Sequence, residues 1–300
     1  MACRKIDGSA IAKSTKDEIR NRIKERQITD AFFQPCLKIV QVGDRPDSSG
    51  YVRMKLKASE EVGVLSEIIQ LCSSIAESEL LSIIKKLNED ATVHAILVQL
   101  PLPDHINEHV VTSAILEEKD VDGFRASNLG ELSKRHGRPR FVPCTPKAVM
   151  ALLAKYKIDL RGKHAVVLGR SDIVGGPLSA LLRNADATVT VCHSHTRNLS
   201  HILGLADVVI AAIGKPAFVQ GQWLKRGAVV IDVGINHVPD ASKKSGSRLV
   251  GDVDYDSVVS MASLVTPVPG GVGPMTVAML LENVVEAATA FYKGIQNTPN

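Results

Sequence analysis

The chain has 300 residues, enough for two domains that each bury a core, and its 45% apolar and 23% charged residues are ordinary for a globular protein. A formal charge of +4, from 36 basic and 32 acidic residues, is too small and too scattered for a nucleic-acid binder but suits an acidic small molecule. No apolar run is long enough to span a membrane, and the N-terminus lacks the apolar core of a secretory signal.

Residues 9–27 carry dense charge around Ile11, Ile19 and Ile23 and predict a surface helix. Leu37 to Gly43 reads as a strand, followed by a loop with Asp44, Pro46 and Asp47 and a helix from about Ser48 to Glu61. A further helix over 77–88 precedes an apolar strand, His94 to Leu100, which Pro101 and Pro103 stop. Strands alternating with helices predict parallel pairing by right-handed crossovers. Ser127 to Pro146 is poor in apolar periodicity and rich in glycine and proline, and reads as the connection between domains. A helix from about Pro146 to Lys157 leads into strands at His164–Gly169, Ala187–Cys192, Ala206–Ile213 and Ala228–Val233, a Rossmann-type succession. The loop Thr266 to Pro274 precedes an apolar helix, Met275 to about Tyr292, which is expected to return to the first domain. The expected fold class is therefore α/β with two domains. The N-terminal α/β domain takes 1–146 and 275–300, and the Rossmann-type domain takes 147–274.

Cys3, Cys36, Cys72, Cys144 and Cys192 are odd in number, far apart and free of CxxC spacing. They read as reduced thiols in a cytosol-like compartment, and nothing in their pattern supports a metal site.

The strand ending at Gly169, the turn through Arg170, Ser171 and Gly175, and the helix after it would place free N–H groups beside a pyrophosphate. The spacing departs from G-x-G-x-x-G because Ser171 takes the middle glycine position. A glycine turn is also common packing punctuation; the ordered strands around it favour a dinucleotide. The second strand ends Cys192-His193-Ser194-His195-Thr196-Arg197, with no carboxylate to accept a ribose hydroxyl. Ser194 can donate to a 2′-phosphate and Arg170 can pair with it, so the pattern favours NADP.

In the first domain, Ser48, Tyr51 and Lys55 fall on one helix face, whereas Arg53 and Lys57 point elsewhere. A tyrosine beside a lysine is often a packed ring with a snorkelling amine. Gln99 ends a buried strand, where an amide needs a partner or a ligand. Lys119-Asp120-Val121-Asp122-Gly123 places two carboxylates in a turn, a composition that turn chemistry alone would also select.

Together, Ser48-x-x-Tyr51-Val52-x-x-Lys55-x-Lys57-Ala58, Val98-Gln99-Leu100-Pro101-Leu102-Pro103 and Lys119 to Gly123 resemble three signatures of one family. So do Pro143-Cys144-Thr145-Pro146, Gly169-Arg170-Ser171-x-x-Val174-Gly175 and Pro267 to Pro274. The family is the bifunctional methylenetetrahydrofolate dehydrogenase/methenyltetrahydrofolate cyclohydrolase, and the resemblance runs from about Ile6 to Tyr292. It implies a folate-binding catalytic domain and an NADP domain with a cleft between them. It implies that Lys55 is the lysine of the hydrolytic step, oriented by Gln99, with Tyr51 stacking on the aminobenzoyl group and Asp122 accepting from the pterin. Ser48, Val98, Leu100, Pro269, Gly270, Gly271, Val272, Gly273 and Thr276 would complete the folate contacts. Thr145, Gly169, Arg170, Ser171, Gly175, Ser194 and Ile235 would hold NADP.

Three rivals remain in view: a dehydrogenase lacking the hydrolase step or using NAD, a shikimate-dehydrogenase-like enzyme, and a catalytically silent dinucleotide sensor. Lys55, Gln99 and Asp122 argue against loss of the hydrolase step, and the missing acidic residue after Cys192 argues against NAD. The Pro267–Pro274 loop together with the Tyr51–Lys55 pair argues against the second, and intact Lys55 argues against the third. A homodimer, a cytoplasmic location without a transit peptide, no ligase domain, and no nucleic-acid or membrane partner complete the expectations.

Overall fold

The computed structural model describes residues 3–243 and 246–296. In chain order the elements are β1 (Arg4–Lys5), α1 (Gly8–Thr29), β2 (Cys36–Val42), α2 (Pro46–Val62), β3 (Leu65–Leu71), α3 (Glu77–Glu89), β4 (Ala95–Val98), α4 (Glu108–Ala114), α5 (Ala126–Ser133) and α6 (Cys144–Lys155). There follow β5 (His164–Leu168), α7 (Gly175–Asn184), β6 (Thr188–Cys192), α8 (Leu199–Leu203), β7 (Val208–Ala211), a 3-10 turn (Gly221–Trp223), β8 (Val229–Asp232), β9 (Asn236–Pro239), β10 (Ser247–Val250), α9 (Tyr255–Val259), β11 (Leu264–Val265) and α10 (Val272–Gln296).

These elements form two compact units. The three-stranded unit comprises Lys13–Glu131, Arg138–Cys144 and Val277–Asn300. Its parallel sheet runs β3-β2-β4. β4 is apolar throughout because both of its faces are covered. On one face Leu37, Ile39 and Leu97 join Ile19, Ile23, Val52 and, from α10, Leu280, Leu281 and Val284. On the other face Val40, Ile96 and Val98 meet Leu80 and Ile84 of α3. Each such side chain contributes about 1.5–3 kcal/mol by leaving water.

The six-stranded unit comprises Met1–Ala12, Leu132–Gly137 and Thr145–Thr276. Its sheet runs β1-β11-β8-β7-β5-β6, parallel at every pairing, with β9 and β10 as a separate antiparallel hairpin. Because β6 lies on one side of β5 and β7 on the other, the chain reverses its direction of winding between β5 and β7.

Several details differ from the sequence reading. Residues up to Ala12 were expected with the first domain, but β1 hydrogen-bonds to β11 and groups with the large sheet. The segment 127–146 was expected as plain connection, yet it contains α5 and the start of α6. A buried asparagine, not apolar periodicity, fastens it: Asn128 donates to the carbonyls of Gly123 and Phe141 and accepts from the Phe141 N–H. α10 begins at Val272, so Val272, Gly273 and Pro274 form its first turn rather than the end of a loop.

Candidate active site

In the three-stranded unit, helix α2 presents Tyr51 and Lys55 one turn apart. The Lys55 side chain is buried, with only 6% of its surface exposed, and its Nζ lies 4.7 Å from the centre of the Tyr51 ring. Nζ donates to Gln99 Oε1 at 2.9 Å, while Gln99 Nε2 donates to the carbonyl of Leu100 at 2.8 Å. Only this orientation of the amide lets both of its ends bond, so the Leu100 carbonyl fixes which atom faces the lysine. Gln99 itself follows directly from β4, since its N–H continues the pairing to Val40. Ser48 is half-buried on the first turns of the same helix.

Asp122 completes the cluster. Burial pushes its carboxyl up from the ordinary range, and the Lys55 amine and the Cys144 thiol pull it partly back. Burial pulls the Lys55 amine down, with Asp122 and then Cys144 opposing. Both shifts favour the neutral forms, so proton affinities that differ widely in water draw together here. The neighbouring Asp120 is pushed to about 6, chiefly by burial, and spends its oxygens on the N–H groups of Gly123 and Arg125. It shapes the turn that presents Asp122.

Two residues absent from the sequence reading of the site belong to this geometry. Cys144 lies beside Asp122 and Val121. Asn283, fully buried on α10, donates to the carbonyls of Val121 and Val142 at 2.8 and 3.0 Å, and so ties the Asp122 turn to the segment before Cys144. A polar residue within the apolar run Leu280-Leu281-Glu282-Asn283-Val284-Val285 was the available signal. Val98 and Leu100, by contrast, direct their side chains toward the core around Ile84 and Leu80.

In the six-stranded unit, β5 ends at a turn shaped by two glycines. A Cβ on Gly169, whose φ is +115°, would stand 2.1 Å from the Ala212 carbonyl oxygen, and one on Gly175 would stand 2.2 Å from the Gly169 oxygen. The turn is thus drawn tight against the end of β7, and α7 begins at Gly175 itself. Ser171, in the place of a third glycine, accepts from the N–H groups of Val174 and Gly175 and caps this entry. Its side chain, like those of Arg170 and Ser194, is exposed. No carboxylate follows β6 in Cys192-His193-Ser194-His195. The glycine turn at the carboxyl end of the central strand, where the winding reverses, fits a dinucleotide.

Elsewhere in this unit, the Gly271 oxygen lies 1.9 Å from where a Cβ on Gly8 would stand, so the loop containing Pro269 and Gly270 seats directly on the start of α1. Ser9 N–H donates to the Gly270 carbonyl at 3.0 Å. The Thr276 hydroxyl lies 3.4 Å from that of Thr145, and exposed Ile235 approaches Gly273.

A doubly wound sheet with a glycine turn, joined in one chain to a second α/β unit holding a buried lysine–amide–carboxylate cluster, is the architecture of a two-unit dinucleotide-dependent enzyme. Comparison with known proteins makes this particular. Residues 6–122 match the catalytic domain of tetrahydrofolate dehydrogenase/cyclohydrolase, and residues 143–292 match its NAD(P)-binding domain. The chain belongs to the tetrahydrofolate dehydrogenase/cyclohydrolase family. The bifunctional protein FolD of Chlorobium phaeobacteroides is 50% identical to it over 287 residues, covering 94% of this chain and 96% of that protein. The crystal structure of Trypanosoma brucei methylenetetrahydrofolate dehydrogenase-cyclohydrolase (FolD), complexed with NADP and an inhibitor, superposes with a TM-score of 0.94 at 42% identity and covers 99% of each chain. The cytoplasmic C-1-tetrahydrofolate synthase of Schizosaccharomyces pombe is 54% identical over 288 residues, which is 96% of this chain but 31% of the synthase. The chain thus spans about a third of the length of the C-1-tetrahydrofolate synthases it matches.

Proposed function

We infer that the chain oxidises 5,10-methylenetetrahydrofolate to 5,10-methenyltetrahydrofolate with NADP and hydrolyses that product to 10-formyltetrahydrofolate. The observation that carries the reading is the buried Lys55 amine, 2.9 Å from Gln99 Oε1 and drawn down toward neutrality beside Asp122. The match to bifunctional relatives along nearly the whole of both chains supports it.

For oxidation, the chain's task is orientation. Tyr51 offers an aromatic face to the aminobenzoyl group, and Asp122 offers acceptor oxygens to the pterin. Ser48 and the Pro269–Gly273 segment with Thr276 are assigned to further folate contacts. The Gly169–Gly175 turn holds the pyrophosphate on backbone N–H groups, and Arg170 and Ser194 meet the 2′-phosphate. When bound there, NADP supplies the hydride acceptor. For hydrolysis, water adds to the methenyl carbon while neutral Lys55 takes its proton. The carbinol hydroxyl then loses its proton to solvent as the C=O forms and the bond from that carbon to the pterin-ring nitrogen breaks. Lys55 returns a proton to the nitrogen, so the net reaction releases one proton. Gln99 keeps the amine aimed throughout.

The reading extends to a homodimer in a reducing, cytosol-like compartment. The five cysteines form no disulfide, and light scattering on the purified chain tests the dimer. The central experiment supplies methylenetetrahydrofolate with NADP⁺ or NAD⁺ and follows cofactor reduction and folate product together. Reduction with NADP⁺ and accumulation of formyl product is expected. Product stalled as methenyl-folate would leave only a dehydrogenase, and no reduction with either cofactor would overturn the reading.

A further inference from the structure

The six-stranded unit contains a second pair of buried acids, Asp232 and Asp252, that the proposed chemistry does not use. Asp252 is fully buried, and its carboxylate receives three successive backbone N–H groups: Ile213 at 2.6 Å, Gly214 at 3.0 Å and Lys215 at 2.9 Å. Asn236 Nδ2 adds a fourth donor at 2.9 Å. Asp232, at the end of β8, in turn accepts the N–H groups of Gly234, Asp252 and Val253, each at 2.9 Å. One carboxylate therefore fixes the backbone of the other, whose side chain fixes the loop leaving β7.

That loop lies beside the glycine turn. Ala212 donates to the Leu168 carbonyl at 2.8 Å, and Gly169 is in close contact with the Ala212 oxygen. The reversal of winding between β5 and β7 places the two loops on opposite walls of one crevice at the carboxyl ends of the strands. We propose that Asp252 is a positioning residue for the dinucleotide, shaping the Ile213–Lys215 loop into a wall that recognises the hydroxyl and carboxamide groups of the cofactor rather than its phosphates. This rests on the dinucleotide reading above.

The chemistry follows from which groups are already used. Three successive N–H groups converging on one point make a natural anion site. Here an internal carboxylate fills it, so these N–H groups are not available to a phosphate. The loop's backbone can offer a ligand only carbonyl oxygens, which accept from hydroxyl and amide N–H donors. Phosphate recognition is left to the Gly169–Gly175 turn. The two walls then read different parts of one ligand.

The test uses Asp252→Asn, which keeps the shape but replaces one oxygen by an amino group that faces N–H donors. NADPH binding is titrated through the fluorescence of Trp223, the chain's only tryptophan. Its ring meets Phe218 at 5.6 Å, and Lys215 Nζ lies 5.5 Å from the Phe218 ring. We expect the NADPH Kd and the KM for NADP⁺ to rise about tenfold or more, while the KM for methylenetetrahydrofolate and the hydrolysis of supplied methenyl-folate, which needs no NADP, stay within twofold. A merely structural role would lower hydrolysis as well, and that result, or an unchanged NADPH Kd, would overturn the proposal. Should Asp252→Asn fail to fold, Asn236→Ala, which removes only the side-chain donor, carries the same test with a smaller change in the same direction. Absence of NADPH binding by the wild-type chain would instead refute the dinucleotide reading on which this rests.

Discussion

Replacing Lys55 by Met removes the amine while keeping an unbranched side chain of similar length. A positioned acid–base group contributes about 10²–10⁴-fold to such a step, which corresponds to about 3–5 kcal/mol of barrier. Hydrolysis of methenyl-folate should fall by that factor. Stability should move the other way or hardly at all. Gln99 Oε1 loses its donor at 2.9 Å, at a cost of about 1–3 kcal/mol. Against this, an ammonium that burial disfavours is gone. The sign follows from linkage: with the folded pKa of Lys55 below 10.5, the unfolded chain binds the extra proton in between, so folding is disfavoured below the folded pKa and recovers as pH rises toward 10.5. Lys55→Met should therefore melt at or above the wild-type temperature at neutral pH. The assay measures methenyl-folate hydrolysis above its uncatalysed rate, beside a thermal melt of the same sample. Hydrolysis within tenfold of wild type refutes the shuttle role, and a melt lowered by many degrees refutes the account of Lys55 as a costly buried group.

Arg170→Ala should raise the KM for NADP⁺ about 10- to 100-fold, the worth of one charge-assisted pair, with little change in the KM for NAD⁺; steady-state kinetics with both cofactors decide. Gly175→Ala drives a Cβ to 2.2 Å from the Gly169 oxygen, so a lowered melt and weakened NADPH binding should appear together. His94, buried against Phe291 and Tyr292, is held down to about 4, first by burial and then by Lys119, against an ordinary 6.5. Its contribution to stability, about 3 kcal/mol at most, is present above 6.5 and lost as pH falls through 4. Denaturant melts from pH 7 to 4 should be flatter for His94→Phe than for wild type, and parallel curves would contradict this.

The strands most legible in the chain were those buried on both faces. Val166-Val167-Leu168 and Ile96-Leu97-Val98 are unbroken apolar runs between turn residues, and both are strands. β3 is an edge strand whose Ser66, Glu67 and Gln70 dilute its apolar residues, so no period stood out. α5 and the 138–144 segment depend on Asn128, whose bonds join residues far apart in sequence, information that no local pattern contains. The site divides in the same way. The face of Tyr51 and Lys55 follows from helical spacing, and Gln99 was conspicuous as an amide closing an apolar strand. Their meeting with Asp122 required the motifs as a set, since each alone is compatible with packing or a turn. Asn283, Asp232 and Asp252 act through backbone groups of other segments, and only coordinates reveal which ones.

The proton-shuttle role proposed for Lys55 accounts for a cluster that looks poor as a stabilising device. A lysine paired for stability would meet a carboxylate partner; Lys38 with Glu67 is such a pair, and the hydrogen bond to Glu67 raises the Lys38 pKa. Lys55 instead has a neutral amide as its hydrogen-bond partner, an aromatic face beneath it, and a carboxyl group that burial pushes upward. With the amine lowered and the acid raised, less free energy separates the states in which a proton sits on one group or the other than would in water. In the proposed hydrolysis, such a group would take a proton from attacking water and give one back to the departing nitrogen. Gln99 would serve both stages, because its oxygen accepts from the neutral amine as well as from the ammonium. On this reading the arrangement gives up the stability of an ion pair in exchange for a lysine whose proton is easier to lose.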